Sequence, residues 1–173
     1  MDVLEAIKGR RSIRAFKKQE LPSSTIERLL EAARWAPSAG NVQPWEFVVA
    51  KLPQTKQNLS LAAYGQRDIE ESSAVIVVCA DEKRAAESYG ERGKTLYCHQ
   101  DTAAAIQNIL LSAHSLGLGS CWIGAFKEEQ VRKIINAPKD VKPVAIIPVG
   151  YADEKPEPRR RRSLGEIAHQ ETF

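Results

Sequence analysis

Residues Ser73 to Ala80, Ser-Ala-Val-Ile-Val-Val-Cys-Ala, constrain the fold more than any other stretch of this chain. Successive side chains of a strand point to opposite faces. Here both alternating sets are apolar, with Val75 and Val77 on one and Ile76 and Val78 on the other. A strand patterned this way has to be covered on both faces, so it is expected at the centre of a sheet. Around it strands and helices alternate. Val3, Leu4 and Ile7 recur at helical spacing until Gly9 ends the helix. Ile26, Leu29, Leu30 and Ala33 form a second stripe that stops before Pro37, with Ser24 and Glu27 spaced as a capping box at its start. Trp45 to Ala50 and Pro143 to Val149 have strand character, Pro53 to Ala63 and Lys127 to Ile135 helical character, and Gly117 to Phe126 forms a Gly-rich extended turn.

Asp101 to Leu116 differs from the other helices. Ala103, Ala104, Ala105, Ile106, Ile109, Leu110, Leu111 and Ala113 nearly encircle it, so it is expected to be buried on most sides, in part against a second subunit. Asp81 to Tyr97 is charged and weakly periodic, as a surface helix and loop would be. Residues 153–173 are polar, contain proline and are too poor in apolar side chains to fold alone, so they must lie along something else. With 173 residues and 43% hydrophobic content, a single domain is expected.

Several function classes are disfavoured at once. No apolar run approaches the roughly 18 residues of a membrane span, and Met1 to Lys8 carries acids where a leader would be basic. A cytoplasmic protein is expected. Cys79, Cys98 and Cys121 are odd in number and far apart, with no CxxC pair or His cluster, which argues against a disulfide framework or a metal site. His99, His114 and His169 are isolated from one another, and nothing in the sequence around Cys121 activates its thiol. The net charge of +3 is small but uneven, with basic clusters around residues 8–18 and at Arg159 to Arg162.

Two strings concentrate the polar chemistry. Ala-Pro-Ser-Ala-Gly-Asn-Val-Gln-Pro-Trp at positions 36 to 45 excludes helix and central strand, and it presents Ser38, Asn41 and Gln43 between two core elements, flanked by Trp35 and Trp45. It is either a plain helix-to-strand connector or a rigid binding loop. Arg10, Ser12 and Arg14 occupy every second position after Gly9 and project to one side, with Arg11 and Ile13 on the other. They form either an anion clamp, for which the guanidinium fork suits phosphate, or a solvated basic edge.

Taken together, Arg-Arg-Ser-Ile-Arg-Ala-Phe at 10–16, the string from Ala36 through Val49, Gly-Leu-Gly-Ser-Cys-Trp-Ile-Gly-Ala-Phe at 117–126 and Pro-Val-Gly-Tyr at 148–151 resemble the FMN-dependent nitroreductase family over nearly the whole chain. The resemblance implies an α+β, three-layer α-β-α fold with a mixed central sheet flanked by helices, assembled as an intertwined homodimer whose 153–173 tails pack on the partner. It implies tightly bound FMN. Arg10, Arg11, Ser12 and Arg14 would grip its phosphate and ribityl chain. Pro37, Ser38, Ala39 and Asn41 would cover it from the other subunit, with Gln43 also in that motif. Gln66 would reach the flavin, Ile123 and Gly124 would lie against its ring, and Arg160 and Arg162 would complete the phosphate site. After those arginines the family often has a proline and an acidic pair, where this chain has Ser163, Leu164, Gly165 and Glu166.

The activity implied is oxidation of NADH or NADPH at flavin N5 and reduction of a nitroaromatic, quinone or free flavin by a ping-pong mechanism. No catalytic acid, base or metal is then required of the protein. Arg14, and after it Arg67, would stabilise the anionic reduced flavin. Two other functions compete: a protein that stores or senses FMN without turnover, and a nucleic-acid-binding module using Arg159 to Arg162.

Overall fold

The computed structural model describes residues 1–173 and builds a four-stranded sheet covered by helices on both faces. In chain order the elements are α1 (Val3–Gly9), α2 (Ser23–Arg34), β1 (Trp45–Ala50), α3 (Pro53–Ala62), α4 (Arg67–Glu71), β2 (Ala74–Asp81), α5 (Glu82–Arg92), α6 (Cys98–Ser115), β3 (Gly119–Ser120), α7 (Glu128–Ile134) and β4 (Val141–Gly150). The sheet order is β1-β2-β4-β3. β2 is central as its pattern requires, and every residue from Ala74 to Ala80 is fully buried. Its alternate side chains feed two separate cores. Ala74, Ile76 and Val78 pack with Ile147 of β4, Leu29 of α2 and Ile106 and Ile109 of α6. Val75, Val77 and Cys79 pack with Leu59 of α3, Ile69 of α4, Val131 of α7 and Ile146 of β4.

All strand pairings are antiparallel, so the sheet is mixed only where the parallel bridge between Ser12 and Ser120 extends its edge. Other expectations shift locally. Ser24 and Glu27 do not cap α2, whose N-cap is Pro22, two residues before Ser24, with no side-chain cap. Proline at that position already fixes a φ suited to a helix entry. The 81–97 region is almost wholly helical, because α5 runs through a kink at Tyr89 and Gly90 into a π-helical turn at Gly93–Tyr97 and on into α6. Gly93 is needed in that turn, since a Cβ there would lie 2.2 Å from the Ala85 carbonyl oxygen. Trp45 is buried as the core anchor of its loop, whereas Trp35 is 72% exposed and donates its indole N–H to Glu31.

Candidate functional site

The arginine motif is an extended segment pinned on both sides. On one side Ile13 N–H donates to the Ser120 carbonyl at 3.0 Å, which lays the motif along β3. On the other, Lys17 N–H donates to the Tyr151 carbonyl and Asp153 N–H to the Ala15 carbonyl, each at 2.9 Å. The Glu154 carboxylate then accepts from the backbone N–H groups of Arg14 and Ala15. These contacts fix the start of the tail across the motif, and the next residues carry it over the arginines. The result is a cavity of about 240 Å³ where Arg10, Arg11, Ser12 and Arg14 meet Arg159 and Arg161. Glu157 supplies the one carboxylate in its lining. Guanidinium groups gathered this closely repel one another, and an anion of phosphate charge relieves that repulsion through charge-assisted hydrogen bonds.

Arg160 and Arg162 do not line this cavity; Arg159 and Arg161 take their place. In an extended chain a shift of one residue exchanges which side chains face a given surface. Arg162 instead donates to the Glu166 carbonyl, closing the turn at Leu164–Glu166. Arg11 has a double role. One of its guanidinium nitrogens donates to the carbonyls of Lys8, Gly9 and Arg10 at 2.7, 3.2 and 2.9 Å, capping the end of α1. Its Nε is buried without a partner. Arg67 is paired with Glu71 at 2.7 Å on the surface of α4 and does not reach the cavity.

Gln66 donates to the carbonyls of Ala63 and Ala125 at 3.0 and 3.2 Å, tying the start of α4 to the segment that contains Ile123 and Gly124. Ile123 is buried and bridged to Ile146 of β4, while Gly124 is exposed with open space around its Cα. Cys121 lies buried between these pieces, and burial raises its pKa, so it packs as a thiol. Asp68 was not legible as a site residue. It is only 5% exposed, one carboxylate oxygen has no hydrogen-bond partner, and burial pushes its pKa up against the opposing charge of Arg14.

The Pro37–Asn41 loop is built separately. Asn41 and Gln43 have φ values of 57° and 54°, in the left-handed region that costs most residues strain. Gln43 N–H donates to the Ser38 hydroxyl at 3.0 Å and its side-chain amide to the Asn41 carbonyl at 3.2 Å, holding the turn closed. Ala39 N–H donates to the Asp101 carboxylate at 3.1 Å, which anchors the loop to the first turn of α6. Gly40 lies against the Tyr89 hydroxyl at φ 54°, where a Cβ would be 2.3 Å from that oxygen. The arginine cavity lies towards the other end of α6, where His114 stands against Gly9 and feels the charges of Arg10 and Arg11. At the rise of an α-helix, Asp101 and His114 are about 20 Å apart.

Burial raises the pKa of Asp101, against the Ala39 hydrogen bond that lowers it. An acid whose folded pKa is raised contributes stability that is complete below its unfolded pKa, about 4, and is lost as pH rises through the folded value. Asp68 acts in the same direction. The contribution of these two carboxyls to the thermal midpoint is therefore expected to fall as pH rises above about 4, while that of Glu31, Glu166 and His114, whose pKa values are lowered, rises with pH. Asp101→Asn, which keeps an oxygen for Ala39, should flatten that fall; melts in which the variant tracks the wild type at every pH would contradict this.

A family model described as the nitroreductase family matches residues 7–72 and 52–151 of the chain. A candidate NADH dehydrogenase/NAD(P)H nitroreductase of Methanothermobacter thermautotrophicus is 38% identical over 164 residues, covering 92% of this chain and 82% of that protein. The FMN reductase (NADPH) of Bacillus subtilis is 29% identical over 185 residues, covering 99% of this chain and 74% of that protein. Among solved structures, a candidate NADH dehydrogenase/NAD(P)H nitroreductase of Bacteroides thetaiotaomicron superposes with a TM-score of 0.87 at 31% identity, covering 98% of this chain and 97% of that one. On the sheet, the pinned arginine motif and these matches, the chain belongs to the nitroreductase family.

Proposed function

We propose that the protein is a cytoplasmic NAD(P)H-dependent oxidoreductase that holds FMN between two copies of the chain and reduces small electrophiles such as nitroaromatics, quinones or free flavin. The observation that carries this is the 240 Å³ cavity bounded by five arginines and Ser12. A phosphate monoester there would be held by Arg10, Arg14, Arg159 and Arg161, with the unpaired Nε of Arg11 as a further donor. The ring would extend over Gln66, Ile123 and Gly124, where the exposed glycine leaves room for a flat ligand. The chemistry supplied by bound FMN is transfer of two electrons from NAD(P)H to the acceptor in separate half-reactions. The protein's part is to position it and to supply positive charge from the clamp, in which Glu154 fixes the backbone of Arg14.

The length of α6 supports a dimer. Its two ends are about 20 Å apart, with the Pro37–Asn41 loop at one and the arginine motif at the other, an arrangement suited to a twofold assembly in which each chain lends its loop to the other's clamp. Exposed apolar residues support the same reading, with Val3, Leu4 and Ile7 of α1 at 71, 63 and 49% exposure and Leu164 and Ile167 of the tail at 78 and 50%. Reading Arg159 to Arg162 as a nucleic-acid contact fits less well, because alternate arginines turn into the cavity.

The purified protein should show the absorbance of bound flavin and sediment as a dimer. Anaerobic NADH or NADPH should bleach it, and initial-rate lines with both substrates varied should be parallel. A colourless protein that FMN cannot reconstitute would overturn the cofactor assignment, and a monomeric holoprotein would overturn the shared site. Flavin that neither nucleotide bleaches would leave a storage or sensing protein.

A further inference from the structure

We propose, resting on the FMN reading above, that Asp68 is a further cofactor-binding residue whose free carboxylate oxygen accepts a hydrogen bond from an uncharged donor of the flavin, a ribityl hydroxyl or the ring N–H. α4 is a five-residue helix that turns Asp68 and Ile69 inward. Ile69 completes the core beneath α3, but Asp68 completes nothing: it is 5% exposed, its Oδ2 has no partner, and none of the chain's ion pairs includes it. A buried acceptor without a donor destabilises the fold. Each such group in a native fold calls for a reason, and a ligand that completes it is one.

The surroundings identify the ligand. Ile69, next to Asp68 in α4, shares its core with Cys121, and Ser120, next to Cys121, is bridged to Ser12 of the clamp, so the start of α4 and the clamp meet on the same strand end. Two residues before it, Gln66 is bonded to Ala125, next to the exposed Gly124. Asp68 is therefore flanked by the phosphate clamp and the surface assigned to the ring. What the position lacks is a hydrogen-bond donor. A carboxylate repels phosphate, so the donor must come from the uncharged part of the molecule, and flavin carries hydroxyl and ring N–H groups there.

The test compares wild type, Asp68→Asn and Asp68→Leu as apoproteins, with FMN, ribitol 5-phosphate and inorganic phosphate as probes. FMN should bind at least about tenfold more weakly to the leucine variant, as expected for a lost hydrogen bond to a charged group, while inorganic phosphate binds as before. Ribitol 5-phosphate weakened in parallel places the donor on the polyol; FMN weakened alone places it on the ring. The asparagine apoprotein should melt no lower than wild type, since it removes a buried charge and keeps the shape. Unchanged FMN affinity in both variants would overturn the proposal. So would an asparagine variant that melts lower and loses phosphate and FMN affinity together, which marks a structural role. Failure of the wild type to bind FMN would overturn the functional reading itself, and the role of Asp68 with it.

Discussion

Apoprotein carrying Arg10→Ala and Arg14→Ala together is expected to bind FMN about 10²- to 10⁴-fold more weakly than wild type, at roughly 1.5 to 3 kcal/mol for each lost contact to a charged group. Both side chains line the cavity, and neither forms an ion pair elsewhere in the chain. Their loss therefore removes ligand contacts without breaking a structural one. Arg11→Ala should behave differently, because Arg11 caps α1; a lower melting temperature should accompany its loss of affinity. The tail arginines give an internal control. Arg161→Ala should weaken FMN binding by about tenfold or more, and Arg160→Ala by much less, since only the first lines the cavity. Fluorescence titration of the four apoproteins checks this. A double variant within tenfold of wild type would mean that the phosphate binds elsewhere.

That control also shows where sequence reasoning stops. Ser73 to Ala80 could be placed at the sheet centre from its pattern alone, because burial on both faces leaves no polar position to mislead. The arginine clamp was legible for the related reason that alternation in a pinned extended segment survives folding. Four identical arginines carry no such phase. Which pair turns inward is set by the hydrogen bonds at Ala15, Lys17 and Asp153 and by Glu154, all outside the run itself. Asp68 was invisible for another reason: a five-residue helix has too few positions for a period, and an aspartate in a charged string is ordinarily solvated. The loop anchor Asp101 lies in the polar first turn of α6, beside His99, Gln100 and Thr102, and its bond to Ala39 depends on a contact across 62 residues of chain. Local patterns thus gave the layers and the clamp; the groups that join separate segments came from tertiary structure.

Leu29→Ala and Leu59→Ala, on opposite faces of the sheet, should each cost about 2 to 5 kcal/mol, or roughly 4 to 20 °C in a domain of this size. Both leucines are fully buried, Leu29 of α2 against α6 and Leu59 of α3 in the core it shares with Ile69 of α4 and Val75 and Val77 of β2. Similar losses of stability should separate in their effects on binding. Leu29 supports the α2 and α6 frame that carries the Ala36–Trp45 loop, whereas Leu59 supports the layer that carries Gln66 and Asp68. In the proposed dimer the first variant loosens the half of the site lent to the partner, and the second the half used by the same chain. Excess FMN stabilises any state that binds it in proportion to the logarithm of concentration over Kd. Melts with and without FMN should therefore show the cofactor's stabilisation reduced in both variants, because each flavin needs both halves. In heterodimers with chains that carry Arg10→Ala and Arg14→Ala, the flavin sits on the unaltered clamp and borrows the other chain's loop. Placing Leu29→Ala on the chain with the broken clamp should weaken that remaining site, and placing Leu59→Ala there should not. Equal effects of the two placements would show that both halves of the site come from one chain.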